Sequence, residues 1–322
     1  MKLGVYDQEI IRLLGENARM PLSNIGKCLR KSSNFVKYRI GLLKKDGILA
    51  PPSVNVHFPA LGFKEFIVYL EVRSHEKKQS SIFHTLVEHP FSVLVGTGIG
   101  KYNYRVKFVA KNEEHIYKII DSLHTLFHNC LRSYEFVEVI EYILGMNRVI
   151  AGTKVVHPSS KHVFSRSLNS SEVATLRAVM ENPEISLLEL SQKIKMTPQG
   201  ARLKLKHLES FVIRGYTFSV HTSNLERLHC ICRINFRDIT TLRPKLASFI
   251  DSHRVIGRSF FTCGSTNVEI TLFPRSLKEL RDVINLINDT FSDHIISFDN
   301  FIVLEKTMTA PIGIFDTEFL KE

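Results

Sequence analysis

The stretch KSSNFVKYRIGLLKKDGIL, Lys31 to Leu49, decides the fold of this 322-residue chain. Val36, Ile40 and Leu43 recur at i, i+4 and i+7, the spacing that gives a helix one buried stripe. Ser32 stands where an N-cap belongs, its hydroxyl placed to accept from an otherwise unpaired N–H of the first turn. Asp46-Gly47 supplies the stop, because glycine takes the left-handed conformation that ends a helix. With the stripe turned inward, Ser33, Asn34, Lys37, Tyr38 and Gly41 face outward among basic neighbours.

Upstream, Ile10, Ile11, Leu13 and Leu14 mark one helix and Leu22 to Leu29 a shorter one. Three short helices with the third basic and exposed describe a helix-turn-helix unit. A second unit follows 165 residues later without a gap. ENARMPLSNIG (Glu16–Gly26) falls on ENPEISLLELS (Glu181–Ser191), and Val36, Ile40 and Leu43 fall on Ala201, Leu205 and Leu208. Thr197 is the expected cap there, and Pro198 takes the first helical position, where its missing N–H costs nothing. Beyond Pro59 the offset becomes 164, and GKYNYRVKFVAK (Gly100–Lys111) lies on GSTNVEITLFPR (Gly264–Arg275). The chain reads as two copies of one two-part unit.

The second part of each copy alternates strand, helix, strand, strand, helix, strand, beginning with the apolar EFIVYLEV and including the amphipathic EEHIYKIIDSLHTLF. That order is the split βαβ pattern. The expected fold class is α+β: two winged helix-turn-helix units, each followed by a ferredoxin-like βαββαβ module, fused as an intramolecular pseudo-dimer. The predicted boundaries are 1–50 and 51–144 for the two parts of the first copy. A basic linker, 145–167, carries four Lys/Arg and no acid. The second copy spans 168–216, a more diverged helix-turn-helix, and 217–307, and 308–322 is expected to be a loosely held tail.

This arrangement resembles the Lrp/AsnC family of prokaryotic transcriptional regulators. The likeness is carried by DQEIIRLLGENARMPLSNIGKCL, by VKYRIGLLKKDGIL and by the Gly-x-Tyr-Asn-Tyr turn in GKYNY. It implies double-stranded DNA as partner and dimerisation through the βαββαβ sheets, here within one chain that is free to assemble further into homo-oligomers. It also implies an amino acid or similar small metabolite as effector beside the turns. Those residues are Gly98, Gly100, Tyr102 and Asn103 in the first copy and Gly264, Ser265 and Asn267 in the second. The family commonly has Asp where this chain has Asn103 and Asn267, neutral amides that bring no charge to an ammonium. Siroheme decarboxylases share the two-part architecture, and Tyr102-Asn103 echoes their Tyr-Asn pair, although Gly100-Lys101 replaces the histidine before it.

On this reading the base-reading residues are Ser33, Asn34, Lys37 and Tyr38 in the first copy and Gln199, Arg202 and Lys206 in the second. The carboxamides Asn34 and Gln199 suit adenine N6/N7, and Lys37 and Arg202 suit guanine O6/N7. Arg30, Lys31, Arg39, Lys44, Lys45, Lys193, Lys195 and Lys204 suit phosphates, which fix register without reading sequence. Residues 1–50 hold ten Lys/Arg against four Asp/Glu, and 168–215 hold seven against five. The first copy is therefore expected to grip harder, on two similar but unequal half-sites about one helical turn or a small multiple apart.

The formal net charge of +11 agrees with a polyanionic partner. No apolar run approaches the roughly 18 residues of a membrane span. Five cysteines without a CxxC pair, and a start lacking a secretory signal, point to a reducing, cytoplasmic, nucleoid-associated setting. GTGIGKYNY is followed by a strand pattern, which removes the helix N-terminus a phosphate loop needs. His124 and His128, four apart with Cys130 beyond, lack a supporting ligand at metal-site spacing. No Ser/His/Asp grouping or carboxylate pair stands out. The expectation is a protein without metal, cofactor or catalysis.

Overall fold

The computed structural model describes residues 3–73, 76–144, 165–220 and 227–316, so all but the end of the predicted linker lies outside the described residues. The first half contains α1 (Val5–Glu16), α2 (Leu22–Leu29), α3 (Ser33–Lys45), β1 (Leu49–Val56), β2 (Lys64–Val72), α4 (Glu76–Glu88), β3 (Ser92–Gly100), β4 (Tyr104–Ala110), α5 (Glu113–Phe127) and β5 (Leu131–Leu144). The second half follows the same order. It has α6 (Ser170–Glu181), α7 (Leu187–Lys193), α8 (Pro198–Phe211), β6 (Ile213–Val220), β7 (Cys230–Phe236), α9 (Ile239–Ser252), β8 (Ile256–Gly264), β9 (Val268–Leu272), α10 (Leu277–Phe291) and β10 (Ile295–Met308).

Local chemistry sets the helix ends as the sequence predicts. The Ser32 hydroxyl accepts from Phe35 N at 3.2 Å and Thr197 accepts from Gly200 N at 3.1 Å. Gly47, at φ +66°, turns the chain out of α3.

One element is absent from the sequence reading. Leu49–Val56 carries Pro51-Pro52, a breaker in a central strand, yet it pairs antiparallel with β6 in a two-stranded ribbon. Proline is tolerated because each strand of a ribbon keeps one free edge. The ribbon also exchanges cores. Phe218 of β6 packs with Ile10, Leu14, Val36 and Leu43 of the first three-helix unit. Ala18 N donates to the Tyr216 carbonyl at 2.8 Å, and Arg19 reaches Tyr216 Oη at 3.2 Å. The two helical units are thus held through one shared strand pair.

The other eight strands close into a barrel in the order β10-β3-β4-β2-β5-β8-β9-β7. Each half supplies four, covered outside by its own helices. Phe66, Val68, Val106 and Phe108 pack with Ile116, Ile119 and Leu123 of α5, and Cys232, Ile234, Val268 and Ile270 pack with Leu246 and Ile287 of α9 and α10. The halves meet at two seams, β3 against β10 and β5 against β8. Glycine is required at the seams because backbones crowd there. A Cβ on Gly98 would stand 2.4 Å from the Ile302 carbonyl oxygen, and one on Gly264 2.8 Å from that of Phe136. Gly98→Ala is expected to cost about 1–3 kcal/mol, the range of an overpacked core, in a urea titration. A midpoint equal to wild type would mean that the seam gives way freely.

The inner faces of the two sheets carry charge. Arg105 Nη2 lies 2.8 Å from Glu269 Oε2 and Arg105 Nε donates to Tyr69 Oη at 3.0 Å, while Tyr69 donates to Glu269 Oε1 at 2.7 Å. Lys107 pairs with Glu65 at 2.6 Å, and Tyr142 donates to the same carboxylate at 2.6 Å. Arg233 lies over the Tyr69 ring at 4.1 Å.

The described part of the tail is packed, contrary to expectation. Gly313 N donates to the Pro90 carbonyl at 2.8 Å, and Ile314 and Phe315 are buried, with Arg177 5.2 Å over the Phe315 ring. Residues 317–322 lie outside the described residues.

Candidate nucleic-acid interface

On α3, Val36 and Leu43 are buried and Ile40 is half-buried, which leaves Ser33, Asn34, Lys37, Tyr38 and Gly41 exposed. On α8, Ala201 and Leu208 are buried and Pro198, Gln199, Arg202, Leu203 and Lys206 are exposed. Tyr38 and Leu203 occupy equivalent positions and are 63% and 62% exposed, so both outward faces are open. Arg30 and Lys195, also equivalent, each hold φ at +53° in the turn that leads into the third helix. Among the described residues Arg30, Lys37, Lys45, Lys195, Arg202 and Lys206 form no ion pair, so their charge is available to a ligand.

Two groups of expected phosphate contacts are placed differently. Arg39 points inward: Nε donates to Asp7 Oδ1 at 2.9 Å and Nη2 to Oδ2 at 2.5 Å, with Asp7 fully buried. It clamps α3 to α1 and is not a phosphate contact, because releasing it would strand a buried carboxylate. The second unit repeats the arrangement with other residues. Glu172 is buried, accepts from Asn169 N at 3.0 Å and pairs with Arg166 at 2.6 Å. Burial opposes its ionisation, yet the Asn169 N–H, Arg166 and half-buried Lys204 hold its carboxyl below the ordinary value. Lys204 is therefore partly committed inward.

Lys44 lies 3.2 Å from Glu184 and Lys193 2.7 Å from Glu181, in exposed pairs worth about 0–1 kcal/mol that an incoming phosphate can displace. Lys31 lies 5.0 Å over the Tyr6 ring, its charge still at the surface.

The turn residues expected to hold an effector are largely spent on the fold. Asn103 Oδ1 accepts from Val72 N at 2.8 Å and its Nδ2 donates to Val72 O at 2.6 Å. Asn267 brackets Phe236 in the same way, at 2.9 and 2.8 Å. Each amide thus extends a ladder, which explains Asn over Asp: a carboxylate accepts but cannot donate to the facing carbonyl. Asn103→Asp is expected to lower stability by about 1–3 kcal/mol at neutral pH, with recovery as the carboxyl is protonated in acid. Chemical denaturation at two pH values reads this. Gly98, Gly100 and Gly264 serve the seams. Tyr102 and Ser265 do converge across the halves, with the Arg233 guanidinium 5.3 Å over the Tyr102 ring and Arg233 Nη2 3.4 Å from Ser265 Oγ.

No family model matches the chain. The HTH-type transcriptional regulator FL11 of Pyrococcus furiosus is 27% identical over 115 residues, 36% of this chain and 76% of that protein. FL11 of Pyrococcus horikoshii is 26% identical over 119 residues, 37% of this chain and 78% of its own length. Over that part of its length, this chain is similar in sequence to HTH-type transcriptional regulators. The siroheme decarboxylase NirDL matches nearly the whole fold. That match covers 98% of this chain and 96% of NirDL at a TM-score of 0.63 with 11% identity.

The NirDL match corrects the expectation of a chain without catalysis, since an enzyme carries the same overall fold. Among the described residues no helix is long and apolar enough to cross a membrane, and no group of three or more His, Cys, Asp or Glu is arranged to hold a metal.

Proposed function

We propose that this chain is a sequence-specific DNA-binding regulator of Lrp/AsnC type that reads two unequal half-sites with α3 and α8, held as an intramolecular pseudo-dimer. The observation that carries the reading is the pair of open, cationic helix faces fixed on one strand ribbon. Asn34 and Lys37 on α3 have chemical counterparts in Gln199 and Arg202 on α8, while Tyr38 against Leu203 makes the two readers unequal. A leucine offers apolar contact to a thymine methyl where a tyrosine offers a hydroxyl.

The pseudo-dimer reading is supported inside the barrel. Arg105 and Glu269 are equivalent at the 164-residue offset, as are Tyr69 and Arg233, and each member touches its own counterpart. Two identical halves would set Arg against Arg or Glu against Glu, so the sequence favours pairing unlike halves.

Selection from a random duplex pool tests the function. The expected product is an imperfect palindrome with half-site centres about one helical turn or a small multiple apart. A perfect palindrome, or no enrichment, would remove the reading. The whole-chain likeness to a decarboxylase favours one second reading, a tetrapyrrole enzyme. Purified protein that binds tetrapyrrole, shown by a Soret band, and binds no DNA would establish that one instead.

A further inference from the structure

A cavity of about 540 Å³ opens between the β1–β6 ribbon, one end of the barrel and the C-terminus of α6. Its acids are already matched. Glu65 is held by Lys107 at 2.6 Å, Glu138 lies 3.4 Å from Lys64, and Glu181 pairs with Lys193 at 2.7 Å. Its two arginines have no such contact, although both feel the charge of Glu65. Arg214, from the ribbon, and Arg258, from β8, line the cavity without an ion pair among the described residues. The Arg258 Nε is buried without a hydrogen-bond partner, and so is Nε2 of His57, a side chain only 6% exposed.

Burial pushes Arg214 below its ordinary value, and burial together with Arg214 pushes His57 down to about 4. His57 is therefore neutral at pH 7 and free to offer Nε2 as a donor or an acceptor, according to its tautomer.

Leaving guanidinium donors unmatched in a half-buried wall is costly, whereas a planar oxyanion meets them as a bidentate partner. Much of the remaining wall is apolar, including Val56, Phe58, Phe63, Val139, Met180 and Met308. Inorganic ions have nothing to gain from that surface; an organic anion buries its body there.

We propose that this cavity binds a small organic carboxylate with an apolar body, its carboxylate held by Arg214 and Arg258. The turns that the sequence suggested for an effector are thereby replaced by a site beneath the ribbon. Because that ribbon joins both helical units, an occupant bears on their spacing. That consequence rests on the DNA-binding reading; the binding site itself does not.

The test is calorimetric titration of the full chain, without DNA, with three probes: 2-naphthaleneacetate, its uncharged counterpart 2-naphthaleneethanol, and 2-naphthyl phosphate. The carboxylate is expected to bind at least about tenfold more tightly than the alcohol, the worth of one charge-assisted bidentate contact. Arg214→Gln and Arg258→Gln are each expected to weaken it about tenfold or more. Each should leave the unliganded melting temperature near that of the wild type, because it breaks no ion pair and loses only a longer-range attraction to Glu65. If a variant fails to fold, the wild-type comparison of acid with alcohol still decides.

Equal affinity for acid and alcohol, unchanged affinity in both folded variants, or no heat with any probe at millimolar concentration would overturn the site. Tightest binding of the phosphate would overturn the carboxylate assignment. A separate gel-shift with a selected duplex, with and without 2-naphthaleneacetate, reads the consequence for DNA, so that a protein binding the probe but no duplex fails the functional reading alone.

Discussion

Glu269→Ala is expected to cost about 3–5 kcal/mol in equilibrium unfolding, the range for removing one partner of a buried pair. Glu269 is fully buried and Arg105 nearly so, and the carboxylate satisfies both Arg105 Nη2 and the Tyr69 hydroxyl. Truncation strands a guanidinium that water cannot reach, which is why the cost exceeds the net worth of the bond itself. A double substitution, Arg105→Met with Glu269→Leu, removes both charges and is expected to recover most of that loss.

Lys64→Ala provides the contrast. Its pair with Glu113 is exposed and its contact with Glu138, at 3.4 Å, is long and only half-buried, so a change within about 1 kcal/mol is expected. A double variant as unstable as Glu269→Ala would show that the barrel interior depends on side-chain shape and not on charge pairing.

The same cluster shows where the sequence ceases to be readable. In YRVKFVA, Arg105 and Lys107 alternate with Val106 and Phe108, a pattern that on one sheet means polar side out. Here the outer face of one sheet is the inner face of a barrel, because a second sheet from 164 residues away covers it. Alternation records which residues share a face, but not what lies over that face.

The elements α3 and α8 were legible because everything that defines them is local: a cap, a stripe and a stop within one short stretch. Arg39 was not separable from Lys37 or Lys44 on that stretch, since its distinguishing partner, Asp7, is 32 residues earlier and becomes a neighbour only when α1 packs. Asn103 was misread for a related reason. Its turn was visible, whereas the two bonds to Val72 that consume its amide depend on the register of β4 against β2. The cavity arginines lie on β6 and β8, strands from different parts of the barrel and ribbon, and no spacing in the sequence links them.

DNA affinity is expected to fall about 10³–10⁴-fold as monovalent salt rises from 50 to 200 mM, because each phosphate contact releases condensed counterions. With Arg39 turned inward and Lys204 half committed, Arg30, Lys31, Lys45 and Lys195 flank the readers with Lys44 and Lys193 recruitable from exposed pairs, so about six phosphates are neutralised. Lys45→Ala is then expected to weaken every duplex alike and to reduce the log–log slope by about one. Lys37→Ala is expected to weaken the selected duplex by about 1–3 kcal/mol, roughly 5- to 150-fold, and to relax base preference at one position of one half-site. Arg202→Ala is expected to do the same in the other half-site, which is what separates two working readers from one reader with a structural companion. If Arg202→Ala changes neither half-site while Lys37→Ala does, α8 serves only to hold the ribbon and the barrel together. If both replacements leave affinity and preference untouched, the two open faces are not where this protein meets DNA.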